Sequence, residues 1–177
     1  MKLSGSFFIG ISILFLAAGC QLIPGPVKPE STRPPAPTKA DLKQAEPSTY
    51  RIFLIALEDS GRSGPAVGCG DSLVSVDIPA TDVKTALQSL LETHDRLYGQ
   101  SGLYNALYQS DLRVNRITRN NDTISADLSG QLVLGGTCDA PRVKAQLEAT
   151  LRQSTESRIP VTIRINRDPL EDLLSGR

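Results

Sequence analysis

The chain has 177 residues, of which 40% are hydrophobic, and its formal net charge at pH 7 is zero. A neutral chain gives no support for a general binder of nucleic acids or anionic surfaces. Aromatic residues make up only 5% of the chain and tryptophan is absent, so a groove lined by aromatic rings has little to be built from. Once a leader and a linker are removed, the length suits one domain with a real core.

The first 20 residues have the layout of a bacterial secretory signal. Lys2 provides a short basic start, residues 7–16 are apolar, and small residues precede Cys20. This apolar run is about half of the roughly twenty residues needed to span a bilayer, so a permanent transmembrane helix is the weaker interpretation. The residues Ala17-Ala18-Gly19-Cys20 resemble the lipobox of bacterial lipoproteins. The resemblance implies that Cys20 becomes the mature N-terminus and carries lipid such as palmitate; plain secretion and an uncleaved anchor remain alternatives.

Residues 21–48 are predicted to be a disordered linker. They are rich in proline, lysine, threonine and alanine and show no apolar periodicity. Such a composition favours an extended backbone with semi-rigid spacing of about 3 Å per residue. The linker would hold a folded domain, residues 49–177, away from the bilayer. A ligand for a proline-recognising module is the alternative.

Two strands are predicted at the start of this domain. Residues 50–57 are apolar on both faces, which suits a strand covered on both sides. A loop rich in glycine and serine follows at residues 58–68. Residues 73–78 alternate between apolar and polar side chains, and Pro79 ends that strand.

Two amphipathic helices are predicted next. Residues 82–97 carry apolar residues and His94 on one side at helical spacing, with Thr81 as the N-cap. Between the helices, residues 98–110 form either a short helix or an ordered loop. The second helix covers residues 140–154, follows a glycine pair, and has Asp139 as its cap.

Three more strands complete the predicted sheet. Residues 112–119 and 123–128 flank a hairpin turn, residues 160–166 close the sheet, and the tail after Asp168 can add one helical turn. The element order is therefore β-β-α-β-β-α-β. This order predicts an α+β fold, in which the two helices pack on one face of a small, mostly antiparallel or mixed sheet of about five strands.

Short patterns across the domain resemble the GerMN domain of bacterial sporulation and germination lipoproteins and of other envelope lipoproteins. They are Asp127-Leu128-Ser129-Gly130, Gly136-Thr137-Cys138-Asp139, Arg142, Gln146-Leu147, Thr150, Gln153 and the strand from Val161 to Asn166. The similarity covers roughly residues 50–174. It implies a non-enzymatic envelope domain without established catalytic residues, which in some members is a protein-assembly module.

Cys69 and Cys138 form an even pair once Cys20 is assigned to the leader. Outside the cytoplasm, two cysteines in turns that contain glycine are predicted to form a disulfide. Closing a loop of this length would stabilise the fold by roughly 4 kcal/mol. Two buried free thiols, or a redox or metal role, remain alternatives, although no C-x-x-C occurs and one histidine does not complete a zinc site.

Catalytic and metal-binding roles have little support. His94, the only histidine, would have to serve a Ser–His–Asp hydrolase, and Asp95 is too close in sequence to orient it. We interpret His94 as a packed or half-exposed structural residue. Five carboxylates could supply an acid–base pair or a cation site but are predicted to be solvated or capping: Asp127, Asp139, Asp168, Glu171 and Asp172. We therefore expect no catalytic residue, metal or cofactor.

Four arginines could form a basic strip on the open face of the sheet: Arg113, Arg116, Arg119 and Arg164. The strip would contact a partner protein or an anionic wall polymer, and ordinary solubilising charge is the alternative. The sequence thus predicts a lipid-anchored protein on the extracytoplasmic face of the cell membrane. Its domain would bind an unidentified envelope protein or associate with itself, without nucleic acid, in sporulation, germination or cell-wall processes. A cell-wall or glycan-acting enzyme or accessory domain is the alternative.

Overall fold

The computed structural model describes residues 49–176. The predicted leader with Cys20 and the predicted linker lie outside the described residues. None of the described helices is long and apolar enough to cross a membrane.

The first sheet is antiparallel and has three strands. They are β1 (Thr49–Ala56), β2 (Ala66–Val67) and β3 (Asp71–Pro79), in the order β1-β3-β2. Residues 52–55 of β1 are buried on both faces, as their apolar sequence predicts. In β3, Ser75 and Asp77 are exposed between partly buried or buried valine and isoleucine side chains, which confirms the predicted alternation.

The second sheet is mixed and has four strands. They are β4 (Asp111–Arg119), β5 (Ile124–Gln131), β6 (Val161–Ile165) and β7 (Asp168–Pro169), in that order across the sheet. The pair β5–β6 is parallel, because the chain passes through a helix between these two strands, whereas the other two pairs are antiparallel.

Three helices complete the described part of the chain. They are α1 (Val83–Leu91), α2 (Asp139–Arg152) and α3 (Leu170–Leu174). The buried side of α1 packs against β1 and β4, and α2 packs against β1 and β6. The two long helices therefore connect the two sheets through one continuous hydrophobic core.

The predicted α+β class with antiparallel and mixed pairing is confirmed, and the strands divide into two sheets instead of forming one. The division has a local cause at the outer edge of β1. Ile55 exchanges backbone hydrogen bonds with Tyr104 at 2.9 and 2.7 Å, and side chains of α2 bond to the rest of this edge. Because the edge is occupied, no strand of the second sheet can pair with it.

The first helix ends at Leu91, six residues before the predicted end. The hydroxyls of Ser89 and Thr93 bond to backbone carbonyls one turn earlier, a competition that weakens helices. Beyond them, residues 96–105 fold back on themselves through backbone bonds of Tyr98 to Leu103 and of Asn105 to Arg96. His94 therefore does not lie on the helical stripe that the sequence predicted: it is exposed in the loop, which excludes the packed alternative of that prediction.

Both predicted helix caps are also different in the structure. Asp82, not Thr81, caps α1, since its carboxylate accepts the backbone N–H of Thr85 at 2.7 Å and the Thr85 hydroxyl at 2.9 Å. These bonds lower the pKa of Asp82. Asp139 is the first residue of α2 and does not cap it; the cap position is Cys138, which makes no side-chain capping bond.

Candidate functional site

The outer face of the second sheet is an exposed surface that carries several of the predicted site residues. In β5, Ile124, Ala126 and Leu128 are buried, so Asp127 and its alternate neighbours point to the opposite side. Asp127 lies between Arg116 of β4 and Arg164 of β6 in the strand register. All three side chains are exposed. We call this side of the sheet the open face.

A β-bulge decides which arginines share the open face. The pairing of β4 with β5 shifts between Val114 and Arg116, which leaves Asn115 as the extra residue. The shift puts Arg116 on the same side as Arg113, which is opposite Ser129. Arg119 is instead opposite the buried Ile124 and is exposed only because β4 ends there. The predicted strip of four arginines is therefore wrong for Arg119.

Arg167 is a further arginine near this face that the sequence analysis did not select. It lies in the two-residue turn between β6 and β7, where Asn166 and Arg167 have φ angles of 54° and 82°. Asn166 suits the turn because its side-chain amide exchanges two hydrogen bonds with the backbone of Gly130, at 3.1 and 2.7 Å. In the sequence, Asn166 was the only signal for this turn, because asparagine tolerates a positive φ. At position 167, glycine would be the expected residue.

A shallow pocket of about 420 Å³ opens on this part of the open face. It is lined by Asn115, Asp127, Leu128, Ser129, Asn166 and Arg167. The bulged Asn115 accepts a hydrogen bond from the Ser129 hydroxyl at 3.0 Å. The pocket thus combines one carboxylate with neutral polar groups and a guanidinium, a set that suits polar binding better than nucleophilic catalysis.

A second cluster of charged side chains is buried between the sheets and α2. The Arg142 guanidinium donates to Asp71 at 2.7 Å and to Asp139 at 3.1 Å. The hydroxyl of Tyr104 donates to both Asp139 oxygens at 3.1 Å, and the N–H of Gly135 donates to Asp139 at 2.8 Å. Asp139 is only 3% exposed, so its predicted solvated or capping role is wrong.

The buried cluster affects the ionisation of Tyr104. Burial and the neighbouring negative charge of Asp139 raise the pKa of Tyr104 to about 12. The Arg142 guanidinium lies 5.3 Å from the centre of the Tyr104 ring, within the range of a cation–π contact. Every charged group of this cluster has a partner, so we assign it a structural role.

Cys69 and Cys138 lie at disulfide distance, with their sulfur atoms 2.05 Å apart and their Cα atoms 6.0 Å apart. Each cysteine is close in sequence to an aspartate of the buried cluster, Asp71 or Asp139. The disulfide and the ion pair between Arg142 and Asp71 therefore connect the same two segments, the start of β3 and the start of α2.

Three polar residues named in the GerMN resemblance bond to the outer edge of β1. Gln153 exchanges hydrogen bonds with the backbone of Arg51, both at 2.8 Å. Thr150 accepts the N–H of Phe53 at 3.2 Å, and Gln146 donates to the Phe53 carbonyl at 2.9 Å. Because these residues follow each other at helical spacing, α2 acts as a substitute strand that closes the edge.

The other candidate groups are dispersed over the surface. Asp127, Asp168 and Asp172 are exposed, and Glu171 forms an ion pair with Lys144 at 2.6 Å. Within residues 49–176, no group of three or more histidine, cysteine or carboxylate side chains could hold a metal ion. The structure thus brings together Arg116, Asp127 and Arg164 but does not bring together the predicted carboxylates.

No protein-family model, curated protein or solved structure matches the chain. The resemblance to the GerMN domain therefore stays a prediction from the sequence.

Proposed function

We propose that this protein is a lipid-anchored envelope protein whose GerMN-like domain is a non-enzymatic binding module for another extracytoplasmic protein. The leader and Cys20 support the anchor, and the linker would give the domain its reach. The observation that carries the proposal is the open face, where Arg113, Arg116 and Arg164 are exposed on one side of a sheet.

The ion pairs support a binding role for these arginines. Among residues 49–176, the ion pairs involve Arg142, Lys144 and Arg152, and none involves an arginine of the open face. Asp127 is adjacent to two arginines in the register, so positive charge exceeds negative charge along this row. Such a surface attracts and orients an acidic partner.

The pair Cys69 and Cys138 is consistent with the proposed compartment. Disulfides persist in oxidising spaces outside the cytoplasm and are rare inside it. A lipid at Cys20 would provide membrane attachment, so the folded domain would need no membrane-binding surface of its own.

The anchor is tested by labelling cells with a palmitate analogue. We expect label on the wild-type chain and none on a Cys20→Ser variant, which should leave the membrane fraction. An unlabelled wild-type protein in the cytosol would contradict the proposed location.

The binding role is tested with a photo-crosslinking residue at Thr162, which is exposed on β6 beside the open-face row. A matched control places the same residue at Ser75, which is exposed on the first sheet. We expect one defined protein adduct from Thr162 and none from Ser75. Equal, diffuse labelling from both positions would contradict a specific interface. An enzymatic alternative would instead require loss of a measured turnover in a folded Asp127→Asn variant.

A further inference from the structure

We infer that the pocket beside Arg167 binds a carboxylate side chain from an extended acidic segment of the partner protein. This inference rests on the proposed binding function and specifies the chemistry that the open face recognises. We give the name arginine triad to Arg116 and Arg164, which flank Asp127 in the register, and Arg167, which lines the pocket with Asp127.

The backbone conformation of Arg167 supports this inference. Its φ of 82° lies in the left-handed region, which is unfavourable for a residue with a long side chain. Asn166 has bonds that compensate for its own positive φ, whereas the Arg167 guanidinium takes part in none of the ion pairs found among residues 49–176. A strained residue that lines a pocket indicates a function outside the fold itself.

The residues that line the pocket also support the binding of a carboxylate. Arg167 lines it together with Asp127, and the register places Arg116 and Arg164 on either side of Asp127. Guanidinium groups bind carboxylates through paired, charge-assisted hydrogen bonds. The side chains of Asn115 and Ser129 supply neutral hydrogen-bonding groups for the backbone of a bound segment.

The arrangement of charge also selects among possible occupants. Two copies of this chain that met through their open faces would bring arginines against arginines, which is unfavourable. A uniformly charged wall polymer would bring negative groups against Asp127, in the centre of the row. A peptide with carboxylates at alternate positions presents them all on one face about 7 Å apart, so two acidic groups can contact the triad while Asp127 lies opposite the gap between them.

The test uses the full chain purified from membranes in detergent and a fluorescent synthetic peptide of alternating glutamate and threonine. A matched peptide has glutamine for glutamate, and poly(glycerol phosphate) represents an anionic wall polymer. We expect anisotropy to report binding of the glutamate peptide only. The Arg167→Gly and Arg164→Gln variants should each weaken binding about five-fold, the upper range for an exposed charge pair.

Stability measurements separate binding from folding. Glycine adopts a positive φ without strain, so Arg167→Gly should melt at the wild-type temperature or above it. Arg158→Gln is the control, since Arg158 is exposed on the loop between α2 and β6, and it should bind like the wild type. Wild-type affinity in both triad variants, a lower melting temperature for Arg167→Gly, or binding of the polymer without the peptide would each overturn the inference. Peptide binding without a cellular adduct at Thr162 would contradict only the proposed function.

Discussion

The two clusters of arginine and aspartate in this domain differ in burial and in how their charges are paired. In the buried cluster, one arginine serves two carboxylates, Asp71 and Asp139, and a tyrosine and a backbone N–H complete the bonding. On the open face, Arg116 and Arg164 flank one carboxylate, Asp127, and Arg167 lines a pocket with it; none of the ion pairs among residues 49–176 involves these three arginines. Charges that stabilise a fold are paired, because burial of an unpaired charge is costly. Unpaired arginines on a surface are available to a partner.

The largest effect should come from breaking the buried cluster. Arg142→Met would leave Asp71, which has no exposed surface, without its charged partner. We expect the free energy of unfolding to fall by up to about 5 kcal/mol. Chemical denaturation measures this change. The matched control is Arg116→Met, which should change stability by less than about 0.5 kcal/mol; equal losses in both variants would remove the distinction between the clusters.

Removal of the disulfide should have the next largest effect. A Cys69→Ser, Cys138→Ser double variant opens a loop with a sequence separation of 69 residues. From the entropy of the unfolded chain, we expect the free energy of unfolding to fall by roughly 4 kcal/mol. Addition of a reductant to the wild type should cause the same loss of stability. Combining this variant with Arg142→Met should cost less than the sum of the two, because both changes release the same segments. Strict additivity would contradict that coupling.

The pH dependence of stability provides a smaller test of the buried cluster. The pKa of Tyr104 is raised to about 12, whereas a tyrosine in the unfolded chain has the ordinary pKa of 10.0. The unfolded state therefore loses this proton first as the pH rises. The contribution of Tyr104 to the free energy of unfolding is fully present below pH 10. It declines between pH 10 and about 12, by at most about 2 kcal/mol.

Denaturation at several alkaline pH values, with tyrosinate absorbance as a second readout, measures this decline. Tyr104→Phe should be less stable at neutral pH by about 1 kcal/mol, the usual net value of a hydrogen bond. It should also lose less stability between pH 10 and 12 than the wild type. Parallel curves for the two proteins would show that Tyr104 is not the group responsible.

The smallest effect is expected at the closed edge of β1. Gln153→Ala removes both hydrogen bonds to Arg51 at an exposed position. We expect a loss of about 1 kcal/mol and a greater tendency to associate at high concentration, because a free strand edge can pair with another chain. Gln100→Ala, on an exposed loop position, is the control. Unchanged stability and association in Gln153→Ala would contradict the role of α2 as a substitute strand.

Local patterns in the sequence predicted the strands well. The alternation in β5 and β6 identified the buried face correctly, because side chains of a strand alternate with a period set by the backbone alone. The apolar run of β1 and the stripe of α2 also predicted burial. Each of these patterns depends only on residues within a single strand or helix.

The errors occurred where the structure depends on distant residues. The end of α1 depends on residues 96–105 pairing with one another, and the side of the sheet occupied by Arg119 depends on a bulge in the pairing with β5. Asp139 is buried because Arg142 and the Tyr104 hydroxyl bond to it, and Arg142 is itself paired with Asp71, which is distant in sequence. The turn at Arg167 gave no apolar or charge pattern, so the pocket beside it could not be predicted.

The most direct test of the central claim is photo-crosslinking from Thr162 in intact cells. The wild-type chain is compared with an Arg164→Gln, Arg167→Gly double variant, and both are checked for membrane attachment and folding. We expect one protein adduct in the wild type and loss of that adduct in the folded, membrane-bound double variant. The same adduct at the same yield in both would contradict the claim that the arginines of the open face hold the partner.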